Sequence, residues 1–439
     1  MKFEKIIYVL MSTVIISLLI LISNFLPISS SSTDKGKSVT KIYYADNISK
    51  AHQRVIDSFN KKYFGQIEVK AINLPFEKFS TNERKELLAR YLRNKSDRID
   101  LFAVDLIWVP RFAKWCIPLD RYFSKKQQEE FIKPALSSCY YDDSLMALPL
   151  YIDVALMFYR SDELKKLPNY TKIKEKLNSS ITWEEFIELH KQTKSTTNPF
   201  FTFQADDYEG LICIFVEIMS SLGKPLVVND SLQLHTKEAK KALKFLVDLV
   251  NLYHISPKEV INFKENHSYG YFLNNNGIFV RGWPSFLSLD NKAIEKKREL
   301  LKYIDKAATP YFDGKIPSSV FGGWNLMVSK YSTKIPETIK LIEFLMSEEA
   351  QKIMYEEGSY LPTRESIYKD SFYIAQNSDL VFYKNLFERG VHRPFLKNYT
   401  YISDVLSYYI NLAIKQKIGV DEALETASEI IFSKSIVIK

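Results

Sequence analysis

The sequence predicts an α/β protein built as two lobes, each a sheet flanked by helices. Three observations carry that expectation. At 439 residues the chain exceeds what a single hydrophobic core usually serves, so two domains are expected. Its first folded stretch reads strand, helix, strand, helix, strand, the pattern of a parallel sheet covered by helices. A helix-rich middle follows, and after an extended crossing at Ala307–Pro310 a strand resumes at Val320–Val328.

In chain order, Met1–Lys5 carries Lys2 and Lys5, and Ile6–Leu26 is then 21 residues without a charge. A run this long can span a bilayer, with the two lysines holding the start of the chain inside and everything after Pro27 outside. Residues 1–32 therefore read as a signal peptide or an N-terminal anchor, with the Ser29–Ser32 run offering small residues for cleavage. No cysteine follows the apolar run, so no lipid attaches there through one. Residues 33–40 read as a linker. Lys41–Ala45 is the first strand, and Asp46 and Asn47 are candidate caps for a helix that buries Ile48, Val55, Ile56, Phe59 and Tyr63. Ile67–Asn73 alternates as a strand, Asn82–Asn94 buries Leu87, Leu88, Tyr91 and Leu92, and Asp100–Val104 is the third strand. Asp105 and Trp108 then sit beyond a strand's carboxyl end, where ligands gather in such sheets.

Farther on, Thr182–His190 opens with a capping-box spacing from Thr182 to Glu185. Glu209–Leu222 reads as an amphipathic helix stopped by Gly223, and Lys237–Tyr253 buries Ala242, Leu243, Leu246, Leu249 and Val250. Thr333–Gly358 reads as one helical stretch with Pro336 in its first turn, and another begins at Tyr401. There is no internal repeat.

Composition excludes some classes. With 46% hydrophobic and 26% charged residues the chain is globular, and its net charge of +8 is spread thinly, with no run of Lys and Arg interleaved with aromatics to suggest nucleic acid. Its 27 Tyr and 29 Phe exceed ordinary core needs, and surplus aromatic surface can line a pocket. Cys116, Cys139 and Cys213 fit no zinc spacing. Buried thiols are the reading, with a Cys116–Cys139 disulfide left open. No catalytic motif, metal set or cofactor fingerprint is present: there is no G-x-S-x-G, no H-E-x-x-H and no His pair at i, i+4.

Ala147–Arg160 reads as a nearly unbroken apolar strand holding one acid, Asp153. A carboxylate there must be satisfied by backbone donors or open onto a wet cleft.

Eight short words now carry a resemblance: D-L-F-A-V-D-L-I-W (Asp100–Trp108), L-P-L-Y-I-D (Leu148–Asp153), T-W-E-E (Thr182–Glu185), Y-E-G-L (Tyr208–Leu211), I-S-P (Ile255–Pro257), R-G-W-P (Arg281–Pro284), F-G-G-W (Phe321–Trp324) and H-R-P (His392–Pro394). In this order they resemble the extracellular solute-binding protein family 1, the sugar-binding components of ABC importers, most closely the trehalose/maltose-binding type. The resemblance implies a periplasmic-binding-protein-like clamp in which the chain crosses between lobes several times. Lobe one would be 41–152 plus 309–362, and lobe two 153–308 plus 363–439. It implies an exported, monomeric, non-enzymatic protein without cofactor, whose partners are a sugar, the permease subunits and, through residues 6–26, the membrane.

Carried over residue by residue, the family's sugar contacts fall on Asp105, Tyr151, Asp153, Trp283, Gly323, Trp324, Arg393 and Arg84. Asp105 and Asp153 would accept from hydroxyls and Arg393 would donate. Trp283, Trp324 and Tyr151 would cover the C–H faces of the rings, and Gly323 would let the backbone approach the ligand. Asp153 and Trp324 are expected on opposite walls of the cleft. Asp46 is the only acid near the place where the family has an early acidic contact. Two rivals stand beside this reading: a membrane-tethered sugar sensor, and a glycosidase using Asp105 and Asp153 as its carboxylate pair.

Overall fold

The first strand forms on the apolar and aromatic run Ile42–Ala45 and ends at a buried acid. In the structure, a computed structural model that describes residues 39–435 except 77, 80, 96, 194–197, 230 and 289–296, this strand (β1) is Thr40–Asp46. The expected membrane-spanning run and most of the linker lie outside the described residues. Ser49, not Asp46 or Asn47, caps the next helix (α1, Lys50–Lys62) by accepting from the His52 N–H, and Val55, Ile56 and Phe59 turn inward from it. The correction has a cause. Asp46 is already consumed in the interior, and Asn47 Oδ1 accepts from the Phe76 N–H at 3.2 Å.

Strand β2 (Ile67–Asn73) lies parallel to β1, helix α2 (Thr81–Arg93) follows, and β3 (Leu101–Asp105) lies parallel to β1 on its other side. The expected apolar strand Ala147–Arg160 is in fact two. Strand β4 (Leu148–Val154) and strand β5 (Leu156–Arg160) belong to different sheets, with Ala155 between them. A strand buried on both faces reads the same whichever sheet takes it, so the sequence hid the break.

Helix α3 (Trp183–Thr193) shows the expected reciprocal capping box, Thr182 Oγ1 accepting from the Glu185 N–H and Glu185 from the Thr182 N–H. After strand β6 (Phe201–Thr202) comes helix α4 (Glu209–Ser221), expected to be amphipathic but buried almost all round, as a helix threaded between other layers must be. Helices α5 (Lys237–Asn251) and α6 (Glu265–Asn274) lead to β7 (Phe279–Gly282) and β8 (Ile304–Ala307). Strand β9 (Ser319–Val328) follows, then helices α7 (Ile335–Leu345) and α8 (Glu348–Gly358). The single helical stretch expected over Thr333–Gly358 breaks where Ser347 caps the second helix. Strand β10 (Gly390–Val391) and helices α9 (Tyr399–Ile414) and α10 (Val420–Ser435) complete the chain.

Two principal sheets result. The first runs β10-β9-β3-β1-β2 with β4 paired to the edge of β9 that faces away from β3, and the second runs β8-β5-β7-β6. The connections β4 to β5 and β8 to β9 pass from one sheet to the other, which brings residues distant in sequence to the boundary between the sheets. All three cysteines are buried free thiols.

Candidate functional site

Residues directly opposite in an antiparallel pair share a face, and this places the site's first row. Trp324 on β9 stands opposite Asp105 on β3 and opposite Tyr151 on β4. Two residues along, Asp153 stands opposite Gly322. Asp153 and Trp324 were expected on opposite walls, but the register puts both on the first sheet, because β4 ends there before the chain enters the second.

One ring face of Trp324 is already covered. The Arg84 guanidinium carbon lies 4.0 Å from its ring centroid and 4.3 Å from that of Phe76, while Trp108 meets Trp324 edge-on at 6.3 Å. Arg84 is fully buried and donates through Nη2 to Asp46 Oδ1 at 2.8 Å. Asp46 also accepts from the Tyr44 hydroxyl at 2.7 Å and the Asn47 N–H at 2.6 Å, and lies 3.4 Å from His52 Nε2. The one acid near the family's early acidic contact, Asp46, is thus the counter-ion beneath Arg84. Arg84 Nε and Nη1 are buried and have no hydrogen-bond partner.

Arg393 forms the second ionic centre. It donates to Asp105 Oδ1 at 2.9 Å and to Glu209 Oε1 at 2.7 Å, and its own Nε is buried without a partner. Glu209 further accepts from the Tyr399 hydroxyl at 2.8 Å and from Ser403. Burial pushes the Glu209 carboxyl up and the Arg393 charge opposes it. Sequence reasoning quoted Glu209 inside a motif word but gave it no role. The available signal was an acid opening a helix whose every face is apolar, which needs a cation.

Asp153 has no such partner. Its Oδ1 is buried and accepts no hydrogen bond, and burial, aided by the Asp105 carboxylate, pushes its pKa up to about 7. Trp283, half-buried, closes over it from the end of β7. A Cβ on Gly322 would lie 2.9 Å from the Trp283 ring and 3.3 Å from Asp153 Cβ, so the indole rests on that glycine. The Trp283 backbone N–H donates to the Tyr269 hydroxyl at 3.1 Å, and Arg281 behind Trp283 is held in a buried pair with Glu217 at 3.3 Å. Glu217 in turn accepts from the Val320 N–H, tying α4 to β9.

Gly323 meets a requirement of the fold itself: its φ is +130°, and a Cβ there would meet the Tyr151 carbonyl oxygen at 2.6 Å and Ile152 Cα at 2.9 Å, so the backbone approaches β4 closely. Gly323→Ala should lower stability by about 2–3 kcal/mol, measured by urea denaturation. Tyr151 packs against Tyr360 at 4.5 Å and His52 at 6.4 Å, and is buried. Among the described residues no cluster of three or more His, Cys, Asp or Glu is arranged to hold a metal ion.

The site therefore offers orphaned guanidinium donors, an orphaned carboxylate acceptor and a half-exposed indole. The family model for bacterial extracellular solute-binding proteins matches residues 30–352. The chain belongs to this family. A probable ABC transporter-binding protein of Deinococcus radiodurans is 24% identical to this solute-binding protein over 409 residues, 91% of this chain and 95% of its own. Maltose-bound MalE3 of T. maritima is 26% identical, with a TM-score of 0.80 over 90% of this chain and 100% of that one. The GacH receptor of Streptomyces glaucescens, solved unliganded and with acarbose, shares the fold at 18% identity and a TM-score of 0.75, covering 90% and 97% of the two chains. The two sheets are those of a two-lobed α/β clamp. Among the described residues, no helix of this solute-binding protein is long and apolar enough to cross a membrane.

Proposed function

We propose that this solute-binding protein captures a maltose-like disaccharide or short oligosaccharide beside Asp153, Trp283 and the Arg84–Trp324 stack, and delivers it to an ABC permease. The observation that carries this reading is a set of buried polar atoms left unmatched in one place: Arg84 Nε and Nη1, Arg393 Nε and Asp153 Oδ1. Buried hydrogen-bonding groups without partners are rare and destabilising unless something else supplies the bond. A sugar supplies it, since vicinal hydroxyls both donate and accept while the C–H face of the ring covers an indole. The maltose held by the T. maritima relative supports the ligand class.

The lobes, read from the sequence as 41–152 plus 309–362 and 153–308 plus 363–439, with β4 carrying the first of them on to Val154, are taken to close by a hinge on the ligand. Asp105, the supposed partner of Asp153 in a glycosidase, has its carboxylate held by Arg393, which suits a binding role rather than nucleophilic attack. A thermal-shift screen of mono-, di- and oligosaccharides tests the assignment. A ligand at 100 times its dissociation constant should stabilise by about 2.7 kcal/mol. No shift with any maltooligosaccharide, or sustained release of glucose, would defeat it.

The N-terminal segment is read as the tether that keeps the body outside the cell. Intact-mass measurement of membrane-extracted protein should return the full-length mass, and a mass matching cleavage near Ser29–Thr33 would remove the tether.

A further inference from the structure

A groove of about 1150 Å³ lies apart from the residues described above but is joined to them along three chain segments. Arg93 stands at the far end of α2, nine residues and about 14 Å along the helix from Arg84. Arg111 lies one turn beyond Trp108, and Lys397 lies four residues after Arg393. With Lys114 these make four cations against one lining carboxylate, Asp142.

The positive charge is only partly neutralised. Glu86 is shared, 2.7 Å from Arg111 and 3.9 Å from Arg93, and Arg111 Nε is buried with no partner. Lys114 and Lys397 are exposed and have no carboxylate within 4 Å among the described residues. Trp115 and Tyr401 add aromatic faces, Lys114 Nζ lying 4.3 Å from the Trp115 ring centroid. Aromatic faces suit sugar rings and clustered cations suit an anion, whereas the paired charges of the main site suit neutral hydroxyls.

We propose that this groove receives the anionic end of an elongated ligand, a sugar residue carrying a carboxylate or phosphate, whose neutral end occupies the site beside Trp283. The inference rests on the sugar-binding reading above. About 14 Å of helix separates Arg93 from Arg84, a span within the length of a short oligosaccharide, so the groove would discriminate among chain ends without touching the first ring.

The full chain in mild detergent is titrated calorimetrically with maltotriose and with maltotriose chains of equal length ending in a carboxylate or a phosphate, at about 20 and 300 mM salt. The charged sugars should bind about tenfold more tightly than the neutral one at low salt, with the gap closing at high salt. The relative gain of the two charged ends tells which anion the groove takes. The K114E/K397E double variant should abolish the gain and leave maltotriose affinity within about twofold. Equal affinity for all three sugars, or a gain that survives in the double variant, overturns the inference and leaves the main site standing. Failure of maltotriose itself to bind overturns both.

Discussion

Asp153→Asn will make the ligand-free protein more stable at pH 8 and weaken its hold on sugar. Burial, with the Asp105 carboxylate as a second cause, raises the Asp153 pKa to about 7 in the folded protein, against an ordinary value near 3.8. A carboxyl whose folded pKa is raised favours the folded state below its unfolded pKa, and that contribution is lost as pH climbs to about 7. Above pH 7 the native protein holds an ionised acid whose Oδ1 is buried without a hydrogen bond. The difference of about three pKa units sets an upper bound on the order of 4 kcal/mol. Asparagine removes the charge but brings an amide with its own unmet bonds, so a gain of about 1–3 kcal/mol at pH 8 is expected, vanishing below pH 4. Binding moves the other way. Loss of a charge-assisted acceptor should weaken affinity by about 1.5–3 kcal/mol. Urea denaturation at pH 8 and 4, with calorimetric titration of maltose, reads both. A structural Asp153 would instead show lower stability in the variant at pH 8.

Arg393→Ala should be among the most damaging single changes, lowering stability by about 3–5 kcal/mol at pH 8. The guanidinium is 2% exposed and lies between Asp105 and Glu209, so its removal leaves two buried carboxylates without their shared cation. Glu209, already pushed up by burial, would protonate more readily still. The deficit should therefore shrink on moving from pH 8 to pH 5, as the stranded Glu209 carboxyl takes up a proton. Urea denaturation at the two pH values measures it. A deficit below about 1 kcal/mol, or one equal at both pH values, would mean that the triad does not act as a charge pair.

The same comparison shows what a one-dimensional reading can reach. Alternation located β2, capping spacing the Thr182 box and apolar periodicity several of the longer helices, because these depend on neighbours within a few residues. The break at Ala155 was invisible, since β4 and β5 are equally apolar and only tertiary pairing assigns them to separate sheets. Register was invisible for the same reason, so Asp153 and Trp324 were set on opposite walls when Gly322 and Tyr151 are their true cross-strand partners. The site candidates came from resemblance, which transfers residue types but not what each one touches. It named Gly323 for a ligand's sake and could not show that the +130° φ and the Tyr151 carbonyl also require a glycine there, or that Trp283 rests on Gly322. Asp46 and Glu209, the counter-ions that hold Arg84 and Arg393, emerge only when the chain is folded.

The central claim is that a sugar hydroxyl supplies the hydrogen bond Asp153 lacks. Such a bond favours the ionised carboxylate, so binding near pH 7 must expel protons. Calorimetric titration of maltose into the protein at pH 7, in two buffers of different ionisation enthalpy, measures that release directly. The account predicts about half a proton released per sugar bound, affinity rising about tenfold from pH 6 to 8, and no release in Asp153→Asn. Tight binding with no proton released, or the same release in the variant, would contradict it.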